Sequence, residues 1–150
     1  IPDYSKNNHY EMIVENNEMM KAVKVADSMA NATTHQIQFL FKFKEKVVEE
    51  GFRLVAEDLD SSKEFNRLVK AKREKVELEE RRVKVLEDDI EVEIPMDDWF
   101  DKIGFNSRFL MKILKLEKSK YVSIKMMAPN RGAVLNGKFL IMPVMLNNYV

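Results

Sequence analysis

The sequence predicts a mainly helical chain with a small C-terminal antiparallel sheet, an α+β class, on three observations. Across the first 90 residues the apolar side chains recur every three or four positions, the spacing of amphipathic helices. At residues 90–94, "IEVEI", the period drops to two, as in a half-buried strand. Near the end, Asn136-Gly137 separates two apolar runs, the usual mark of a β-hairpin.

Three helices are expected before residue 90. Asn8 with Glu11 forms a capping box, and Met12, Met19, Val23, Ala26 and Ala30 carry a helical stripe from Asn8 to Ala30. Thr33 and Gln36 cap a second helix, 34–59, whose broad face holds Ile37, Leu40, Phe41, Val47, Val48, Leu54, Val55 and Leu59. Phe39 and Phe43 lie off that face, and Gly51 interrupts it. "SSKE", from Ser61, opens a third helix, 61–89. Its last 20 residues include 14 charged ones, and Val69, Val76, Val83 and Ile90 recur every seven. Such a stripe contacts one neighbour and leaves a solvated charged face. Residues 1–60 therefore read as a helical hairpin, a coiled-coil-like stalk for self-association or partner docking. Residues 61–150 read as a second module that includes the long charged helix.

The chain has 150 residues, no Cys, four Gly and four Pro. Disulfides, thiol catalysis and cysteine zinc sites are excluded. No apolar run reaches the ~20 residues of a membrane span and no leader pattern shows, which leads to the expectation of an intracellular protein, cytoplasmic or nuclear. The first residue is Ile, so a segment upstream is left open. Net charge is zero, but residues 95–150 hold nine basic and four acidic side chains, against 16 and 21 in residues 1–94. A basic end points to a polyanion.

From residue 96 a short helix is expected, started by Asp97, Asp98 and Asp101, carrying Trp99, Phe100 and Ile103 inward and stopping at Gly104. A second helix restarts at once, capped by Asn106 or Ser107, with Phe105 before the cap placed to pack on Leu110. Strands follow at "YVSIKMM" and "FLIMPVML", on either side of the Asn-Gly turn.

This order, and most specifically Trp99, Ile103, Gly104, Leu110 and Ile113, resembles the winged-helix branch of the helix-turn-helix families. Phe100 departs from the small residue usual there. The resemblance covers residues 61–146 and implies that the helix after Gly104 enters the major groove of double-stranded DNA, as in a transcription regulator. It implies nucleic-acid contacts from Asn106, Ser107, Arg108, Lys112, Lys115 and Lys120, with Asn130, Arg131 and Lys138 on a wing. The rival reading is a non-enzymatic interaction or assembly protein that associates through helices 8–30 and 34–59 and through its apolar C-terminal strand.

Nothing in the sequence marks an enzyme. There is no phosphate-binding loop, dinucleotide loop or nucleophile elbow. His9 and His35 lack metal-ligand spacing, and Asp97, Asp98 and Asp101 read as a helix start rather than a Mg²⁺ site. No cofactor is expected.

Overall fold

Among the described residues, two large antiparallel sheets, two small ribbons and two helices make the fold, and strand outweighs helix. The computed structural model describes residues 4, 8–77, 83–87, 90–94 and 99–146. In chain order the elements are β1 (His9–Glu15), α1 (Asn16–Met29), β2 (Gln36–Leu40), β3 (Lys42–Phe43), β4 (Lys46–Val47), β5 (Gly51–Asp58), β6 (Lys63–Lys70) and β7 (Lys72–Val76). Then come β8 (Val83–Glu87), β9 (Ile90–Ile94), β10 (Lys102–Asn106), α2 (Ser107–Leu116), β11 (Tyr121–Met126), β12 (Ala133–Leu135) and β13 (Phe139–Ile141). The first sheet has the order β13-β12-β11-β1-β7 and the second β10-β2-β5-β6. β3 with β4 and β8 with β9 form separate two-stranded ribbons.

The order conceals a repeat. A strand of the first sheet (β1) leads into α1 and then into β2, β5 and β6 of the second. A strand of the second sheet (β10) leads into α2 and then into β11, β12 and β13 of the first. Each half then sends a segment back along its own opening strand. β7 pairs with β1 from His9↔Val76 to Ile13↔Lys72, and the segment after β13 bridges β10 at Gly104↔Val144. Arg73 anchors the first of these. Its guanidinium lies 4.9 Å from the Trp99 ring and 5.4 Å from that of Phe41, and it donates to the Val48 carbonyl.

Alternation explains the strands. In β1, Met12 and Val14 point into the core, as do Ile37 and Phe39 of β2, Phe52, Leu54 and Ala56 of β5, and Val122, Ile124 and Met126 of β11. Met19, Ala22, Val23 and Ala26 of α1 and Leu110 and Leu114 of α2 close the same core. Phe39 lies at its centre, stacked on Phe52 at 4.5 Å and edge-on to Phe105 at 5.1 Å.

The mainly helical expectation is overturned. The expected helix 8–30 divides at Glu15 into a strand and a helix, because its stripe ran across the joint and masked the alternation of "HYEMIV". The helix 34–59 is absent. Ile37, Phe39 and Phe41 are buried in alternation, and the two phenylalanines off the helical face were the sign of it. Lys44 and Glu45 take positive φ, 51° and 64°, in the turn between β3 and β4. No helix forms among the described residues of 61–89 either. β6 pairs with β5 along its whole length, from Gly51↔Lys70 to Asp58↔Lys63, and its charges protect an edge strand. No coiled-coil stalk remains among the described residues. Here sheet pairing overrides local helix propensity.

The helix-turn-helix is overturned too. Of its first helix, residues 95–98 lie outside the described residues, and Lys102–Asn106 is strand β10. Gly104 is mid-strand, where a Cβ would come within 2.6 Å of the Leu146 side chain, so glycine there admits the returning C-terminal segment. Strands 90–94 and 121–126 form as expected, and so does the helix after Asn106. Asn136 and Gly137 take φ of 51° and 67°, the turn their sequence announced.

Replacing Phe39 with Ala should cost roughly 3–5 kcal/mol in urea unfolding. The same change at Phe109, exposed on α2, should cost within about 0.5 kcal/mol. Similar losses at both positions would contradict this core.

Candidate nucleic-acid interface

The two helices lie side by side and antiparallel: the start of α1 closes the end of α2, and the start of α2 is tied to a side chain in the last turn of α1. The Asn16 side-chain amide, at the start of α1, reaches the carbonyls of Leu114, Glu117 and Ser119 at 3.3, 2.9 and 3.3 Å. Its backbone N–H donates to the Lys120 carbonyl at 2.8 Å. These groups at the end of α2 would otherwise be unsatisfied. At the start of α2, the Ser107 N–H donates to the His35 carbonyl at 2.8 Å, and its hydroxyl donates to Asp27 at 2.5 Å. Lys120 precedes β11 and His35 precedes β2, so the two ties occupy matching places in the repeat.

Asp27 is the hub of the second tie. Its Oδ1 meets the Ser107 hydroxyl and, at 3.1 Å, His35 Nδ1; its Oδ2 meets Arg108 Nε at 3.1 Å. An acid in the last turn of a helix is disfavoured by the helix dipole. Burial also pushes the Asp27 carboxyl up. The Ser107 and His35 hydrogen bonds and the Arg108 charge outweigh that and hold it below the ordinary carboxylate value.

Outward from this seam the surface is basic. Lys21 and Lys24 of α1, and Arg108, Lys112 and Lys115 of α2, are exposed on the sides of the helices away from their buried residues. Glu18, the other acid of α1, lies 3.8 Å from Lys21. Where α1 begins and α2 ends, an open cavity of about 470 Å³ gathers Asn17, Lys115, Lys118 and Lys120 at its wall. Such a face offers a polyanion several positive charges and few competing acids. A second, smaller cavity, about 280 Å³, lies by the C-terminal segment among Lys102, Gly104, Pro129, Val144 and Met145.

The structure separates the residues that the sequence grouped. Arg108, Lys112 and Lys115 share the helix face, and Lys120 joins them at the cavity. Asn106 faces inward on its own helix, its Oδ1 accepting from the N–H groups of Arg108 and Phe109 at 2.9 and 3.2 Å. Ser107 is 0% exposed and engaged with Asp27. Asn130 and Arg131 lie in the turn between β11 and β12, where no hydrogen bond or ion pair among the described residues joins them to either helix. Lys138, in the last hairpin, is 3.5 Å from Glu117. Sequence reasoning missed Lys21, Lys24, Asp27 and His35. The lysines stood three apart opposite Met19, Val23 and Ala26, a signal that was there to read. The Asp27–His35 pairing needed the positive φ of His35, 49°, which no local pattern shows.

Among the described residues no three acids or histidines come together to hold a metal ion. Asp97 and Asp98 lie outside those residues. Asp101 is exposed, and its carbonyl accepts from the Phe41 and Lys42 N–H groups. No described helix is long and apolar enough to cross a membrane.

The sheets and helices reproduce one part of a known architecture. The chain is similar to DNA polymerase III beta subunit from Thermotoga maritima, with a TM-score of 0.66 and 17% identity over 98% of this chain and 35% of that one. It is similar to the DNA polymerase III subunit beta of Pseudomonas aeruginosa, with a TM-score of 0.66, 13% identity and coverage of 97% and 34%. It is also similar to the DnaN sliding clamp of Bartonella birtlesii, with a TM-score of 0.63, 19% identity and coverage of 97% and 36%. The chain spans about a third of the length of these proteins. No protein-family model and no curated protein sequence matches it. The fold is thus that of one sliding-clamp unit. That finding replaces the winged-helix resemblance, and with it the transcription-regulator reading.

Glu117, beside the Asn16 tie, supplies a pH test. Its carboxyl is lowered from 4.5 to about 2 by the Ser119 hydroxyl first, then by Asn136, the Ser119 N–H and the Lys138 charge, against a smaller opposing effect of burial. A lowered carboxyl stabilises the fold above its unfolded value and loses that contribution as pH falls through the folded one. Urea midpoints should therefore fall between about pH 4.5 and 2. Glu117→Gln should flatten that part of the curve, and an unchanged curve would count against the contacts of the carboxyl with Ser119, Asn136 and Lys138.

Proposed function

We propose that this chain is a non-enzymatic clamp unit that holds duplex DNA against the α1–α2 face and joins like units, on its own or another chain, through the edges of its sheets. One observation carries the reading. The antiparallel pair sets Lys21, Lys24, Arg108, Lys112 and Lys115 outward, while Asp27 is turned into the seam. The solved structures to which the chain is similar include sliding clamps of a DNA polymerase, which agrees with a face built to hold DNA without reading it.

The chemistry suits holding. Lysines bind phosphate as point charges, and most of their affinity comes from counterions released from the duplex. A face without a preset base reader binds unlike sequences alike. Asn106, Ser107, Asn130, Arg131 and Lys138 take no part in this face. Arg108, Lys112, Lys115 and Lys120 do, joined by Lys21 and Lys24.

The open edges support assembly. β6 pairs only with β5, and β13 only with β12, among the described residues. Leu68 on β6 is 37% exposed and Leu140 on β13 is 42% exposed. Unpaired edge strands with exposed leucines are suited to pairing with another sheet.

Fluorescence anisotropy with two duplexes of unrelated sequence tests the DNA face. Affinities should agree between the duplexes and fall with salt at a log–log slope of roughly 3–5, about 0.9 per phosphate neutralised. Lys24→Glu with Lys112→Glu should remove binding. Unchanged binding by that double variant, or a strong preference for one duplex, would overturn the reading. For the edges, sedimentation should show assemblies that grow with concentration and dissolve when Leu68 and Leu140 become lysine. A monomer at every concentration would show that the edges do not join this chain to itself.

A further inference from the structure

Among the described residues, Arg108 differs from the other cations of the face, because it is held by a half-buried acid fixed from its other side. Asp27 has a side chain 12% exposed and that of Arg108 is 59% exposed. The contact is through Nε, at 3.1 Å. Among the described residues the two terminal amines of Arg108 have no partner. Asp27 cannot turn away, because Ser107 and His35 fix its other oxygen at 2.5 and 3.1 Å. The Arg108 N–H is bonded to Asn106 Oδ1 at 2.9 Å, which sets the backbone at the root of the side chain. The ion pair with Asp27 holds the guanidinium on its inner side and leaves both terminal amino groups for an outside ligand. That planar fork matches two oxygens of one phosphate.

Ordinary electrostatics gives Asp27 the opposite role. An acid near a DNA-binding face repels the polyanion, so removing it should tighten binding. The geometry points to Asp27 as a positioning residue that aims Arg108 at a backbone phosphate. In this arrangement the charge is spent inside the seam. Its partners on all sides are Ser107 and Arg108 of α2 and His35 ahead of β2. The benefit is orientation: a long flexible side chain is fixed before DNA arrives, so less freedom is lost on binding. Lys24, Lys112 and Lys115 bind as mobile charges and need no such support.

This inference rests on the proposed DNA face, and the experiment separates the two. Anisotropy is measured on a random-sequence duplex, over a salt series, for the whole chain and for Asp27→Ala, Asp27→Asn, Arg108→Ala, Arg108→Lys and the Asp27→Ala/Arg108→Ala double variant. Circular dichroism melting is run beside each. Both alanine variants should bind roughly five- to tenfold more weakly, the loss of one charge-assisted contact. The double variant should be no weaker than either single one. Arg108→Lys keeps the charge but not the fork, and should lose nearly as much as Arg108→Ala. The salt slope should fall by about one in the variants that lose the fork.

Tighter or unchanged binding by Asp27→Ala, with the Arg108→Ala loss intact in its background, would overturn the inference and leave the DNA face standing. If Asp27→Ala fails to fold, Arg108→Lys decides. The exposed position tolerates lysine, and wild-type affinity there overturns the inference. A wild-type chain that does not bind the duplex overturns the proposed function itself.

Discussion

The reciprocal closure of the two helices is the constraint on which the rest of the fold depends. Asn16 satisfies the end of α2 from the start of α1, and Ser107 ties the start of α2 to the end of α1. Each tie also fastens the chain where it enters a sheet, at Lys120 before β11 and at His35 before β2. The helices therefore cannot slide without disturbing both sheets. Two short helices, 14 and 10 residues, would be marginal alone. Here the end of α2 is satisfied by Asn16, the start of α2 is tied to the Asp27 side chain of α1, and the apolar faces pack on the sheets.

The same closure sorts charge. The chain is neutral overall, so a basic face has to arise by arrangement. Asp27 is drawn inward by Ser107, His35 and Arg108, and Glu117 by Ser119 and Lys138. Of the charged side chains that stay outward on the helix pair, most are lysines. The basic bias of the last third of the chain was real in composition, but it is divided in space. Part of it lies on α2, and part, at Arg131 and Lys138, lies on turns of the first sheet.

Legibility in the sequence followed the range of the interaction. The Asn106 cap, Leu110 and Leu114 on the buried side of α2, the strand at 121–126 and the Asn-Gly turn are local, and each could be read from neighbouring residues, whereas Phe109, expected on that buried side, is exposed. The strands from β2 to β7 could not be read that way. "QIQFLFKF" alternates, yet its apolar content also fills a broad helical face, and a charged edge strand such as β6 imitates a solvated helix. Only pairing with distant residues decides between these, as in Ile37↔Phe105 and Phe52↔Val69. Of the face, Arg108, Lys112 and Lys115 were found because α2 was found. Lys21 and Lys24 were passed over because α1 was read as one helix of a stalk, and Asp27 because its partners lie on other elements.

The central claim is that the antiparallel helix pair is the side that meets DNA. Nuclear magnetic resonance tests it most directly, by titrating a short duplex into the labelled chain at low salt and following each backbone amide. Shifts concentrated at Asn17–Ser28 and Arg108–Lys120, and reversed by added salt, are the expected result. Shifts centred instead on the turn holding Asn130 and Arg131 or along the β6 edge would contradict the claim, as would no shift at all.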